Sequence, residues 1–487
     1  MDFYLGIDFG TTGVRSTAID SSRNIHSESK YDFTHHEEPA SELPSRWENA
    51  LWAVIEQIPL AIRRQIRAIA LDGTSSTVML CDTKGIPVDE PILYNDGRGV
   101  AVLDRLRAIA PAHHTVLNAT SSLAKLLWWL ECKEKDTAPR ECVQTFKPGD
   151  PPQPPLTRGG NSLKVPLIPP LGGAGGGGDL GGYPVQTAPR FFLHQADWLA
   201  FLLHGRLGIS DYHNALKLGY DVANLCYPNW LTEGIAGVSG SIAPILPQVV
   251  APGTAIGPVT AEIGDRFGFP RDCIVCAGTT DSIAAFLASG VNSPGEAVTS
   301  LGSTLALKLL SYTRVDDATY GIYSHRFTSP SQGRAGGVLW LVGGASNTGG
   351  AVLRHFFTDS ELDKYSQQID PHRPSFLDYY PLLKKGDRFP NNDPNLLPRL
   401  EPRPADAVEF LHGLLESIAR IESRGYELLQ QFGATPLTKV YSAGGGAKNQ
   451  VWSEIRKRYL KVPVVTPVHT DAAYGSALLA MGKINQF

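Results

Sequence analysis

The chain has 487 residues, 42% of them hydrophobic, and a formal net charge of −4. Such a length exceeds one core and suits two domains, while a pI near 6.4 without a basic stripe speaks against a nucleic-acid partner. No apolar run reaches the ~20 residues that a membrane-crossing helix needs, and six cysteines in so long a chain suggest no disulfide framework. The expected setting is a reducing cytoplasm, without membrane attachment.

Taken from the start, residues 3–8 read as a strand, with no signal or transit peptide expected ahead of it. They run into Asp8-Phe9-Gly10-Thr11-Thr12-Gly13 and a second strand, a hairpin with small residues at its tip. Helical periodicity covers 47–66 (Trp47, Leu51, Val54, Ile55, Ile58, Ile62), and a buried strand follows at 66–72. Residues 121–131 and 191–204 are predicted helices. From Pro148 to Gln186 stand 11 Gly and 9 Pro in 39 residues, too little apolar surface to offset the entropy of ordering. Residues 137–188 therefore read as a disordered insertion. Its Gly173–Gly178 run matches G-x-G-x-x-G, but no strand precedes it and no helix follows directly, so the match is compositional.

Beyond Trp230 strands and helices alternate. Cys273–Ala277 is a predicted strand leading to Gly278-Thr279-Thr280-Asp281 and a helix from Ser282. Cys273 and Cys276 form a CxxC, but in a strand they face opposite sides and no second pair accompanies them, so a buried strand is the reading. Thr299–Lys308 is a second hairpin, Val338–Gly350 a strand and Gly-rich turn, 407–432 a long amphipathic helix, and Val440–Asn449 a strand and triple-Gly turn before a helix at 450–460. A second domain starts near 289–295.

Phosphoryl transfer needs backbone donors around phosphates, a cation to neutralise charge and a base for the attacking hydroxyl. Asp8 at a strand end can hold Mg²⁺ through water, and Thr11, Thr12 and Gly13 offer hydroxyl and backbone donors; a tight hairpin with a capping Asp is the plainer alternative. Gly302, Ser303 and Thr304 repeat that chemistry in the other half of the chain, or form an ordinary polar turn. Gly444-Gly445-Gly446 suits an adenosine lying on bare backbone, or close helix–strand packing, and Gly343–Gly350 has the same ambiguity. Asp281 is either a helix N-cap or a general base for a sugar hydroxyl.

Together these motifs resemble the FGGY family of carbohydrate kinases. The pieces that carry the likeness are Asp8–Gly13, Leu93-Tyr94-Asn95-Asp96-Gly97-Arg98, Gly278–Asp281, Thr299–Thr304, Gly343–Gly350 and Gly444–Asn449, in family order. The resemblance implies an α/β chain of two actin/hexokinase/Hsp70-type (ribonuclease H-like) domains around a cleft, 1–290 and 291–487, using ATP and Mg²⁺. Carried over by position, Asp8 holds the metal and touches substrate; Thr11, Thr12, Gly13, Gly302, Ser303 and Thr304 serve the phosphates; Gly445, Gly446 and Asn449 lie by adenosine; Asp281 is the base.

For the acceptor, Asp72-Gly73-Thr74-Ser75-Ser76 stands where xylulose kinases carry a Gly-Gln-Met-His-Gly-like stretch, and looks more like the ribulose kinases, the cyanobacterial and plant-plastid D-ribulose kinase group above all. Thr74 and Ser75 are candidate sugar contacts, and Asp96 either shapes the pocket or pairs with Arg98. The expected reaction is ATP-dependent phosphorylation of D-ribulose, with a xylulose kinase or other FGGY sugar or polyol kinase as the alternative and an ATP binder without sugar transfer as the rival class.

Overall fold

The computed structural model describes residues 1–33, 39–112, 114–133, 190–234, 242–327 and 337–484. The expected insertion at 137–188, with its glycine run, lies outside the described residues.

The first sheet is built on the hairpin Phe3–Phe9 and Gly13–Asp20, extended on one side by the antiparallel strand Ile25–Asp32. On the other side Ile66–Gly73 runs parallel to Phe3–Phe9, followed by Ile274–Cys276 and Ala255–Pro258. Every residue of Phe3–Phe9 is buried, as a strand covered on both faces must be. One face packs Trp47, Leu51, Val54 and Ile55 of the helix Leu43–Glu56. Pro59 stops the helical run predicted through residue 66, leaving only the short helix Leu60–Arg63. Cys273 and Cys276 belong to cores on opposite faces of this sheet, as the strand reading requires.

The other face is covered by a helix from far along the chain, Ala472–Ile484, through Tyr474, Ala477, Ala480 and Met481. Its approach depends on two glycines. A Cβ on Gly6 would stand 1.9 Å from the Ala473 carbonyl oxygen, and one on Gly475 would stand 1.8 Å from that of Ala284. Glycine lets backbones meet where a side chain would force them apart.

The second sheet repeats the frame. The hairpin Glu296–Leu301 and Leu305–Ser311 is flanked by Leu339–Ser346 and Tyr323–Phe327 on one side, and by the parallel strands Lys439–Ala443 and Val464–Val465 on the other. The helix Ala407–Gln431 lays Phe410, Leu414, Leu415, Ile418 and Leu429 against it, as its amphipathic spacing predicts.

One prediction fails outright. Residues 191–204 are not one helix: Phe191–His194 is a strand paired with Val78–Cys81, and the helix is Gln195–His204. The His194 amide donates to Asp197 (2.9 Å), a capping arrangement that starts the helix four residues later than periodicity alone indicates. Aromatic Phe191 and Phe192 suit the strand.

Candidate active site

Three carboxylates converge where strand ends of the first sheet meet the second. Asp8 and Asp72 stand opposite each other on neighbouring parallel strands. Thr279 and Thr280 continue the ladder, Thr279 beside Asp72 and Thr280 beside Gly73, and so deliver Asp281 to the same edge. Asp72 is fully buried and Asp8 is 8% exposed. The Ser476 hydroxyl, on the helix that covers this sheet, donates to Asp72 Oδ2 (2.6 Å). Burial pushes the Asp8 carboxyl up to about 6, and Asp72, deeper and facing Asp8, is held well above the ordinary range. Two carboxylates can only accept, so a bond between them needs one shared proton, and the deeper Asp72 is its holder. With both ionised, Asp72 Oδ1 has no donor among the described residues.

Asp281 is the first residue of the helix Asp281–Ala288; Thr280 occupies the cap position. Its Oδ1 accepts the Ser282 amide at 2.5 Å. Burial raises its carboxyl, while the Ser282 amide and the ammonium groups of Lys308 and Lys217 pull it back. Asp281 is thus a partly buried carboxyl kept ionisable by cations from two different segments, the balance a general base requires.

A buried histidine ties this corner together. The Arg326 carbonyl can only accept, so the His213 Nε2 at 2.7 Å carries the proton, and Nδ1 then accepts from the Thr279 hydroxyl at 2.8 Å. Burial lowers His213 to about 4, which keeps that neutral form. The arrangement links the strand before Asp281 to the second sheet.

At the first hairpin tip, Thr11 and Thr12 are exposed, and the Gly10 amide donates to the Gly13 carbonyl (3.0 Å). At the second, Ser303 and Thr304 are exposed and the turn is braced from behind: the Gly350 and Ala351 amides donate to the carbonyls of Gly302 (2.8 Å) and Ser303 (3.1 Å). The Gly343–Gly350 segment is therefore a support for that turn. The triple-Gly turn abuts the same loop: Gly444 has φ +83, and a Cβ there would stand 2.8 Å from the Leu301 carbonyl. Gly302, Ser303, Gly445 and Gly446 thus belong to one neighbourhood, with open space over Gly445. Asn449 caps the helix Gln450–Leu460, its Oδ1 accepting the Trp452 amide (3.0 Å) and its amide nitrogen donating to Ser366 (2.8 Å).

The candidate sugar contacts divide. Thr74 is spent internally, on Thr77 (2.5 Å) and Gln195 (3.1 Å). Ser75 is only partly buried, whereas Ser76 has a buried hydroxyl with no partner among the described residues. Asp96 receives Arg98 side-chain donors at 3.0 and 2.7 Å, so the pair forms, with Arg98 stacked on Trp128. Sequence reasoning missed Lys125, whose buried ammonium donates to the carbonyls of Ser76 and Leu93, both at 2.7 Å, and clamps Ser76 in a left-handed backbone (φ +68). The legible signal was a lone lysine within the apolar run Leu123–Leu130.

Family models match both halves: the N-terminal domain of the FGGY family of carbohydrate kinases at residues 3–147, and its C-terminal domain at 300–483. The chain belongs to the FGGY family of carbohydrate kinases. It is 21% identical over 502 residues to a xylulose kinase of Staphylococcus epidermidis, covering 99% of this chain and 88% of the relative. In structure it resembles Plasmodium falciparum glycerol kinase with ADP (TM-score 0.76, 15% identity, 100% and 90% of the two chains). A ligand-bound xylulose kinase from Lactobacillus acidophilus superposes with a TM-score of 0.74 at 15% identity, over 100% and 92% of the chains. These structures share the two-domain actin/hexokinase-like fold. Among the described residues, no helix is long and apolar enough to cross a membrane.

Proposed function

We propose that the chain transfers the γ-phosphoryl group of ATP to a primary hydroxyl of a ketopentose, D-ribulose first among them, in the cytoplasm. The observation that carries this is Asp281, a partly buried carboxyl at the strand edge that also bears Asp8, within electrostatic range of two lysines. In this reading lobes 1–290 and 291–487 close on the substrates, which keeps water from the phosphoryl group. Asp281 takes the proton from the acceptor hydroxyl as it attacks in line. Thr11, Thr12 and Gly13 meet the phosphates from one side and Gly302, Ser303 and Thr304 from the other. Gly445 and Gly446 lie by adenosine, and Asn449 shapes that end by capping the helix that follows. Asp8 fits Mg²⁺ held through water: it is the ionised member of the pair at the strand end, and Asp72 behind it carries the shared proton. The ion would supply charge neutralisation at the phosphates.

D-Ribulose is favoured by Asp72–Ser76, which lacks the Gln-Met-His of xylulose kinases. D-Xylulose is the second reading, favoured by the name of the Staphylococcus epidermidis relative. ADP release measured over a panel of ketopentoses and polyols with ATP and Mg²⁺ tests both. Higher kcat/KM on D-ribulose supports the first; higher kcat/KM on D-xylulose or glycerol removes it. ADP release that no sugar accelerates would reduce the chain to a nucleotide binder.

A further inference from the structure

Beside Asp281, on the side formed by the second sheet, lies a group of polar side chains whose remaining hydrogen-bonding capacity has no assigned use. Lys308 stands in the strand Leu305–Ser311, within the otherwise apolar run Leu-Ala-Leu-Lys-Leu-Leu. Its ammonium donates to the Ser282 carbonyl at 2.6 Å, one residue past Asp281, and this is its one hydrogen bond among the described residues. Two of its three N–H groups are left for something else. His325, on the strand Tyr323–Phe327, is 8% exposed, and its Nδ1 has no partner among the described residues. Its ring lies 5.9 Å from that of His213, which orients Thr279. Lys217, in the turn Leu216–Leu218, reaches the same corner, within electrostatic range of Asp281, Lys308 and His325.

An orphaned buried ring nitrogen is costly unless a ligand or water meets it. Two ammoniums facing one carboxylate leave positive charge and unused donors. Hydrophobic filling would answer neither demand. A chain of vicinal hydroxyl and carbonyl oxygens answers both, because each oxygen accepts from an ammonium and each hydroxyl also has a proton for a neutral imidazole. Burial holds His325 well below its ordinary range and therefore neutral.

We propose that Lys308 and His325 complete the acceptor pocket from the second sheet, binding the non-reacting oxygens of a polyhydroxylated ketose whose primary hydroxyl meets Asp281, with Lys217 as the second cation of that pocket. The inference rests on the kinase reading and deepens it. It also means that the acceptor is gripped by both lobes, so that specificity is not confined to Asp72–Ser76.

The test uses the full chain and the best acceptor from the panel. Lys308→Met, Lys308→Arg and His325→Leu are compared with wild type for kcat, KM of acceptor, KM of ATP and melting temperature. Lys308→Met should raise acceptor KM about tenfold or more while ATP KM stays within about twofold, because a charge-assisted contact to the acceptor is lost and none to ATP, and kcat should fall as well because Asp281 loses one of its two cations. Lys308→Arg should recover part of that loss, and His325→Leu should raise acceptor KM several-fold. Acceptor kcat/KM within twofold of wild type in both Lys308→Met and His325→Leu would overturn the proposal. So would equal rises in both KM values with early melting, the mark of a merely structural role. Should Lys308→Met fail to fold, Lys308→Arg and His325→Leu decide by the same criterion. If wild type turns over no sugar at all, the kinase reading falls and this pocket with it, a result distinct from a selective failure of the variants.

Discussion

The two hairpins have the same architecture and different electrical content. In each, a buried strand turns through small residues into its neighbour and runs parallel to a later strand: Phe3–Phe9 beside Ile66–Gly73, and Glu296–Leu301 beside Lys439–Ala443. Two residues before the first turn glycine stands Asp8, opposite Asp72; two before Gly302 stands Ser300, opposite Ala443. The first hairpin therefore carries an acidic pair at its root and an exposed tip. The second is neutral at its root and has its turn carbonyls occupied by the Gly350 and Ala351 amides. Its charge lies deeper, where Arg456 and Glu422, both fully buried, join at 2.6 Å and Glu422 also receives the Thr299 hydroxyl. A repeated frame has been given an acidic end and a neutral, rigid end. Neutral backbone suits polyphosphate oxygens, whereas a carboxylate suits a cation.

The difference can be broken in several places. The largest effect is expected from Asp281→Asn, which should lower kcat about 10³-fold while nucleotide affinity stays within about twofold. A coupled ADP-release assay and nucleotide titration check it, and a near-normal rate would remove Asp281 as the base. Next comes the rigid end. Arg456→Met leaves Glu422 buried without its partner and should destabilise the fold by about 3–5 kcal/mol, read by urea unfolding.

At the acidic end the effect has the opposite sign. Asp8 keeps its proton to about pH 6 in the folded chain, against about pH 4 for a free aspartate. Between those values the folded state binds more protons than the unfolded one, so this group makes stability fall as pH rises through the window. Asp8→Asn should then raise stability at pH 7 by on the order of 1–3 kcal/mol, show little difference below pH 4, and lower turnover sharply. Equal unfolding midpoints for both proteins at pH 7 would contradict this. The smallest effect is Ser303→Ala. It removes a contact from Arg354 (3.2 Å) and an exposed hydroxyl at the neutral tip, and should raise ATP KM about threefold with no change in melting.

Much of the frame was legible because its turns are written in contiguous residues. Hairpins with glycine at the turn, and a Gly-Thr-Thr-Asp at a strand end, identify themselves by local rules. What stayed hidden was assembled from distant segments. Asp72 reads as the start of a sugar-contacting turn, and only the parallel register places it against Asp8. Asn449 reads as a nucleotide contact, while its side chain serves the helix it begins. Lys125 and Lys308 each look like an interruption in an apolar run, and spacing alone does not tell which carbonyl an ammonium will find. Phe191–His194 was misread because four apolar and aromatic residues fit either period, and the partner strand Val78–Cys81 decides.

The helix Ala472–Ile484 has a consequence for how the molecule comes into being. It covers a strand that begins at Phe3, some 470 residues earlier, and supplies the hydroxyl that steadies Asp72. Until it docks, Tyr4, Ala68, Ala70 and Cys276 face water. A growing chain on a ribosome therefore holds its first sheet half-dressed through most of its synthesis, and contacts of such long range close slowly. A fragment ending at residue 290 should expose that face and aggregate, and the separately made peptide 466–487, added during refolding, should rescue its solubility.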